Sequence, residues 1–238
     1  KVDQEGLYLT SRWNLADPLK VILGARLDWY DATAIYDQIN DQYYTSGKTK
    51  LVRNVTRYAG VIYDLDDNHS VYASYTSIYQ PQTYKDANRT PLDPVEGDSY
   101  ETGLKAAYFE GRLNASLALF RIEQDNVAVK TGTTNTNEGI YKATRGATTE
   151  GVELEIAGEL QEGWNLSAGY TYARSRDKDH QRIFGSPMST TKPEQLLRLF
   201  TTYRLPGQLN RLTVGGNLVW QSDIYAVNGT YGTKAHQG

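Results

Sequence analysis

The chain has 238 residues, with 25 basic against 28 acidic side chains, a net charge of −3, 19 tyrosines, 4 tryptophans and no cysteine. That length allows one large domain, the acidic balance argues against a nucleic-acid surface, and the lack of cysteine excludes a disulfide framework and any Cys-based zinc site. No apolar run is long enough for a transmembrane helix, and the opening Lys1-Val2-Asp3 does not read as a leader. The mean hydropathy of −0.59 looks like that of a soluble protein. Membrane β-barrels give such values too, because only every second side chain faces lipid.

Along the chain the dominant signal is period-two alternation. Leu7, Leu9, Ser11 and Trp13 alternate with Tyr8, Thr10 and Arg12; Val21, Leu23, Ala25, Leu27 and Trp29 alternate with Arg26 and Asp28 on the other face. Further on, Tyr100, Thr102, Leu104, Ala106 and Tyr108 stand against Glu101 and Lys105. Leu113, Ala115, Leu117 and Leu119 follow, then Val152, Leu154 and Ile156 against Glu153 and Glu155. Trp164, Leu166, Ala168, Tyr170 and Tyr172 form another row, and Leu212, Val214, Gly216, Leu218 and Trp220 the last. A helix would space apolar residues three and four apart, so these are strands. Residues 55–65, 71–79 and 196–205 carry apolar or aromatic residues on both faces, but their Tyr, Val and Thr content also reads as strand.

The connections alternate between short and long. Turns at 15–19, 66–69, 109–111, 161–163 and 206–208 contain the Gly, Pro, Asn or Asp that tight turns need. Long polar stretches occupy 33–54, 80–97, 126–149 and 177–192, with a tail from 223. This predicts an all-β fold: an antiparallel up-and-down transmembrane β-barrel segment of about ten strands in five hairpins, with short periplasmic turns and long extracellular loops. Trp13, Trp29, Tyr108, Trp164, Tyr170 and Trp220 fall on the apolar face, as membrane-interface aromatics would. Arg26, Glu101, Lys105, Glu153 and Glu155 fall on the other face, which reads as a wet or plugged lumen rather than a packed core. The polar face carries more long side chains than a narrow ten-strand lumen would hold, so residues 1–238 read as part of a larger plugged barrel.

Several stretches, taken in order, resemble TonB-dependent siderophore receptors, particularly those for ferric pyoverdine, ferrichrome, coprogen and ferrioxamine. They are YASYTSIYQPQ (72–82), YETGLK (100–105), the segment 119–127, GVELE (151–155), 168–172, and 192–203. The resemblance is close over 70–222 and more general over 6–64. It implies an outer-membrane receptor of a Gram-negative bacterium that imports a ferric siderophore with energy from the TonB complex. The implied partners are the siderophore, outer-membrane lipid, and TonB acting through a plug domain. The plug, the first strands and the last strands of such a receptor are expected to lie outside these residues. No cofactor is expected beyond the transported ferric siderophore.

Catalytic and metal chemistry find little support. His69, His180 and His236 have no ligand spacing; Asp64, Asp66, Asp67 and Asn68 lack the glycine and distal glutamate of a calcium loop. Ser74 and Ser77 lack a nucleophile context. The chain is therefore read as a non-enzyme that binds through its long loops. Aromatic and cationic side chains suit a bulky ferric siderophore, and the candidate contacts are Tyr79, Tyr84, Tyr141, Arg145, Phe184 and Tyr225. Two alternatives remain at this point. A passive porin-type channel would fold a loop inward as a constriction, and a soluble all-β carbohydrate-binding module would pack Arg26, Lys105, Glu153 and Glu155 into a core.

Overall fold

The computed structural model describes residues 2–32, 35–37, 42–44, 49–135, 138–144, 146–176, 193–228 and 233–237. Long strands alternate with tight turns. In order they are β1 (Val2–Asn14), β2 (Leu19–Ala32), β3 (Ile35–Asp37), β4 (Gln42–Tyr44), β5 (Thr49–Asp64), β6 (His69–Gln80), β7 (Val95–Tyr108) and β8 (Leu113–Asp125). They continue as β9 (Val127–Thr133), β10 (Gly139–Thr144), β11 (Ala147–Gln161), β12 (Trp164–Arg176), β13 (Gln195–Arg204), β14 (Thr213–Gln221), β15 (Ile224–Asn228) and β16 (Thr233–Gln237). Ten of them form one antiparallel meander in the order β1-β2-β5-β6-β7-β8-β11-β12-β13-β14.

The short turns are closed by local hydrogen bonds. Asp66 accepts the amides of Asn68 and His69 at 2.8 and 2.9 Å, so its carboxylate caps the β5–β6 turn. Between β7 and β8, Phe109 and Glu110 both take positive φ, 54° and 59°. Gly111 follows with a φ of 83°, so the loop between the paired Tyr108 and Leu113 passes through three left-handed positions, of which glycine supplies only the last.

Register sorts the side chains into two faces, because directly paired residues point the same way. A single row runs across nine strands on one face: Leu19 pairs with Tyr63, Tyr63 with Val71, Val71 with Leu104, and Leu104 with Leu117. From Leu117 it continues to Leu154, Tyr170, Leu197 and Trp220. Its members are solvent-accessible, Leu154 at 52%, and the same face shows Leu9 at 77%. The opposite face carries Arg12, Arg26, Lys105, Glu153, Glu155 and Arg198 among serines, threonines and glycines. No second layer covers either face among the described residues, so the packed core required of a soluble sandwich is not there.

The long connections are more structured than their polarity predicts. Residues 33–54, 126–149 and the tail contain the added strand pairs β3–β4, β9–β10 and β15–β16, and β5 starts at Thr49 rather than at 55. The segment 127–133, Val-Ala-Val-Lys-Thr-Gly-Thr, alternates weakly and is too short to stand out from a polar loop. Pairing with β10, through a register shift at Ile140/Tyr141, is what makes it a strand.

Candidate functional site

The buried residues of the sheet concentrate at one place on the long-loop rim. Val95, Val127 and Ala147 pack together at the roots of the 81–94 loop and the β9–β10 hairpin, with Val129 against them. These two segments leave different strand pairs, yet they close on each other.

Gln82 lies at the junction, only 8% exposed. Its amide nitrogen donates to the carbonyl of Asn126 at 2.8 Å and to that of Asp93. Asn126 takes a positive φ of 63°, and its side chain donates to the carbonyl of Pro94 at 3.0 Å. Asn tolerates this left-handed geometry better than most residues, which lets the chain turn sharply from β8 into β9. A buried amide that satisfies two carbonyls holds them in place, since leaving them bare costs more than the bonds contribute.

Farther out, the 81–94 loop folds on itself. Asp86 accepts the amides of Asn88 and Thr90 at 2.9 and 2.8 Å, and Arg89 takes a φ of 64° at the tip. The amide of Tyr141 then donates to the carbonyl of Lys85 at 2.9 Å, adding the loop to the β9–β10 hairpin. The Tyr84 and Tyr141 rings meet at 4.4 Å between centroids, tilted by 42°. Arg89 and Glu138 close the tip at 2.6 Å. Both are mostly exposed, so this pair orients more than it stabilises. Between the segments lies a cleft of about 170 Å³, lined by Tyr84, Asp86, Arg89, Glu138 and Tyr141 among others. It offers two phenol rings, a guanidinium and carboxylates, and at this size it can take only one edge of a larger ligand.

Of the loop residues singled out from the sequence, Tyr84 and Tyr141 come together in this cleft. Tyr79 does not line it; register places it opposite Glu96, on the face that bears the apolar row. Arg145 and Phe184 lie outside the described residues, and so does the side chain of Tyr225, whose backbone pairs with His236. Gln82, Asn126, Glu138 and Gly139 escaped notice. Gln82 sits inside the YQPQ motif, but nothing in its sequence context marks it as buried.

The two sets of strand residues separate by register. Trp13, Trp29, Tyr108, Trp164, Tyr170 and Trp220 all share the face of the apolar row. Trp13, Tyr108 and Trp164 stand near the short turns, Trp29 and Trp220 near the long loops. Arg26, Glu101, Lys105, Glu153 and Glu155 share the opposite face. There Arg26 pairs with Asp28 at 2.8 Å, the Tyr72 hydroxyl donates to Glu101 at 2.6 Å, and the Lys105 ammonium sits 4.7 Å over the Tyr72 ring. At the turn end His69 bridges Asp66 and the Tyr108 hydroxyl, at 2.9 and 2.8 Å. Among the described residues no group of three His, Asp or Glu side chains is disposed to hold a metal ion.

Comparison with known proteins gives these features a context. The family described as TonB dependent receptor-like, beta-barrel matches residues 1–237. A ferric-pyoverdine BN7/BN8 receptor of Pseudomonas putida is 43% identical over 231 residues, covering 94% of this chain and 27% of that protein. A ferripyoverdine receptor of Pseudomonas aeruginosa is 42% identical, over 93% of this chain and 26% of its own length. The chain thus spans about a quarter of the length of these relatives. Among solved structures, the Pseudomonas aeruginosa ferripyoverdine receptor bound to ferripyoverdine superposes with a TM-score of 0.79 at 36% identity, covering 99% of this chain and 31% of that one. The alcaligin outer-membrane receptor of Bordetella pertussis gives 0.73 at 41% identity, over 93% of this chain and 37% of that one.

Proposed function

The chain belongs to the TonB-dependent receptor-like β-barrel family, and from that premise we propose that it is part of an outer-membrane receptor that binds a ferric siderophore and imports it with TonB-coupled energy. The observation that carries this reading is its identity, across nearly the whole chain, with receptors named for ferric pyoverdine. The physical arrangement supports it. Both edges of the ten-stranded sheet lack a strand partner among the described residues, and a bare sheet edge is untenable in lipid. Further strands of the receptor close the barrel, and a plug fills it and engages TonB. The apolar row faces outer-membrane lipid, the girdle aromatics sit at its two interfaces, and Arg26, Glu101, Lys105, Glu153 and Glu155 face the lumen.

Import is a binding and gating function that calls for no covalent step by these residues. The siderophore meets the long-loop rim, where Tyr84, Tyr141 and Arg89 present the ring and cation chemistry that suits it. Tyr79, Arg145, Phe184 and Tyr225 are further candidates from the sequence. The test is uptake of radioactive iron by cells that produce the full receptor but no other siderophore receptor, in strains with and without TonB. Uptake from ferripyoverdine or a hydroxamate siderophore that disappears without TonB supports the reading. Accumulation that is independent of TonB, or that shows no preference among small solutes, overturns it in favour of a passive channel.

A further inference from the structure

We propose that the 81–94 loop and the β9–β10 hairpin work as one recognition element, locked by the Gln82 amide, so that siderophore identity is read by the pair and not by either loop alone. The inference rests on the siderophore-receptor reading and adds to it the part that does the reading and the residue that holds it. The two segments begin in different strand pairs and are far apart in sequence, so ordinary loops at these places would move independently. Here they are tied at three levels. At the root, Gln82 takes a carbonyl from each segment, Asp93 from its own and Asn126 from the other, beside the buried Val95, Val127 and Ala147. At mid-height, the Tyr141 amide bonds to the Lys85 carbonyl at 2.9 Å and the Tyr84 and Tyr141 rings meet. At the tip, Arg89 meets Glu138.

Only the root is shielded from water, so it decides whether the rest stays assembled. The exposed Arg89–Glu138 pair is too weak to hold two loops, and the ring contact contributes little unless its partners are already in place. Gln82 is therefore a positioning residue. It touches no ligand, and it acts by keeping Tyr84 and Tyr141 in contact, which removes the ordering cost that a ligand would otherwise bear on binding.

The test uses the full receptor in detergent, with spin labels on cysteines placed at Ala87 and Asn135 and ferripyoverdine as the probe. In the otherwise unchanged receptor the label–label distance distribution is narrow. Gln82→Ala broadens it and weakens ferripyoverdine binding by about tenfold, the scale of losing a preorganised wall. A short bis-maleimide bridge between the cysteines at positions 87 and 135, put in place of the spin labels in the Gln82→Ala receptor, restores the affinity; these positions do not line the cleft, and a mere folding defect would not be repaired this way. A distribution that stays narrow in Gln82→Ala overturns the latch and leaves the receptor reading intact. Broadening without any change in affinity overturns the role in recognition. A receptor that, with Gln82 in place, binds neither ferripyoverdine nor a ferric hydroxamate siderophore overturns the recognition role together with the reading beneath it.

Discussion

Leu19, the first residue of β2, and Trp220, the last but one of β14, belong to one row of cross-strand partners. The row therefore climbs almost a full strand length while it crosses the sheet. With about 3.3 Å per residue and about 4.8 Å between strands, the strands lean by roughly 30° from the normal to the rim. Such a stagger is the geometric condition for rolling a sheet into a barrel.

If the row faces lipid, a charge in its middle is costly while the neighbouring position is not. Leu154→Arg is expected to destabilise the membrane-embedded receptor by about 2–4 kcal/mol, against less than about 1 kcal/mol for Glu155→Arg on the opposite face. Denaturant unfolding in lipid vesicles measures both. Equal losses would mean that the two faces have been assigned wrongly.

The tryptophans should report membrane depth. Trp13 and Trp164 stand near the short turns, Trp29 and Trp220 near the long loops, and Trp164 donates from its ring nitrogen to Thr201 at 2.9 Å. Amphipathic indoles settle at the headgroup level. Their fluorescence should be quenched more by lipids brominated near the headgroup than by lipids brominated near the chain ends. The reverse order would place the rings at the bilayer centre and discard the two-girdle picture.

Gly158 is a position where backbone geometry leaves little choice. Its φ is 138°, and a Cβ there would lie 1.9 Å from the carbonyl oxygen of Arg112, whereas a Cβ at Gly169 meets nothing within 4 Å. Gly158→Ala should lower stability by on the order of 1–3 kcal/mol, the range of forced backbone strain. Gly169→Ala should be close to neutral. The same vesicle unfolding experiment compares them, and a neutral Gly158→Ala would show that the β11 backbone relaxes freely.

At the candidate site, Gly139 makes room for the ring of Tyr141, since a Cβ there would come within 2.6 Å of that ring. Gly139→Ala should displace Tyr141 from Tyr84 and weaken ferripyoverdine binding several-fold, while the unfolding of the barrel is unchanged. Titration of ferripyoverdine against both receptors measures it. Unaltered affinity would remove the ring pair from the list of contacts.

The turn capped by Asp66 should loosen in acid. The amide of Asn68 and the ring of His69, bonded to its carboxylate, hold the Asp66 pKa below its ordinary value of 3.8. A carboxylate whose folded pKa is depressed contributes stability at pH above its unfolded pKa. That stability is lost as pH falls through the folded value. Exchange protection of the Asn68 and His69 amides, corrected for intrinsic rate, should therefore be constant near neutrality and fall below about pH 4. Asp66→Asn should show weaker protection near neutrality and no such fall. Equal profiles would mean that the carboxylate does not cap the turn.

Much of this architecture can be read from the chain itself, and the reason is local. Alternation in strands such as 100–108 and 164–172 reports which side chains share a face, because the strand repeats every two residues. The turns announce themselves through residues with restricted dihedrals, as at Asp66 and Gly163. The separation of Arg26, Glu101, Lys105, Glu153 and Glu155 from the tryptophans follows from the same arithmetic once register is known. What the chain does not declare is anything that depends on partners distant in sequence. The strand β9 exists because β10 pairs with it, and the weak alternation of 127–133 could not announce this alone. Gln82 is buried only because the Asn126 carbonyl arrives from another hairpin. Tyr84 meets Tyr141 through a single backbone bond between segments that no local pattern joins. Local periodicity is enough for the ten long strands, their faces and the rhythm of short and long connections. Which loops meet, and which loop segments pair as added strands, depends on close packing and satisfied hydrogen bonds between segments that local periodicity cannot relate.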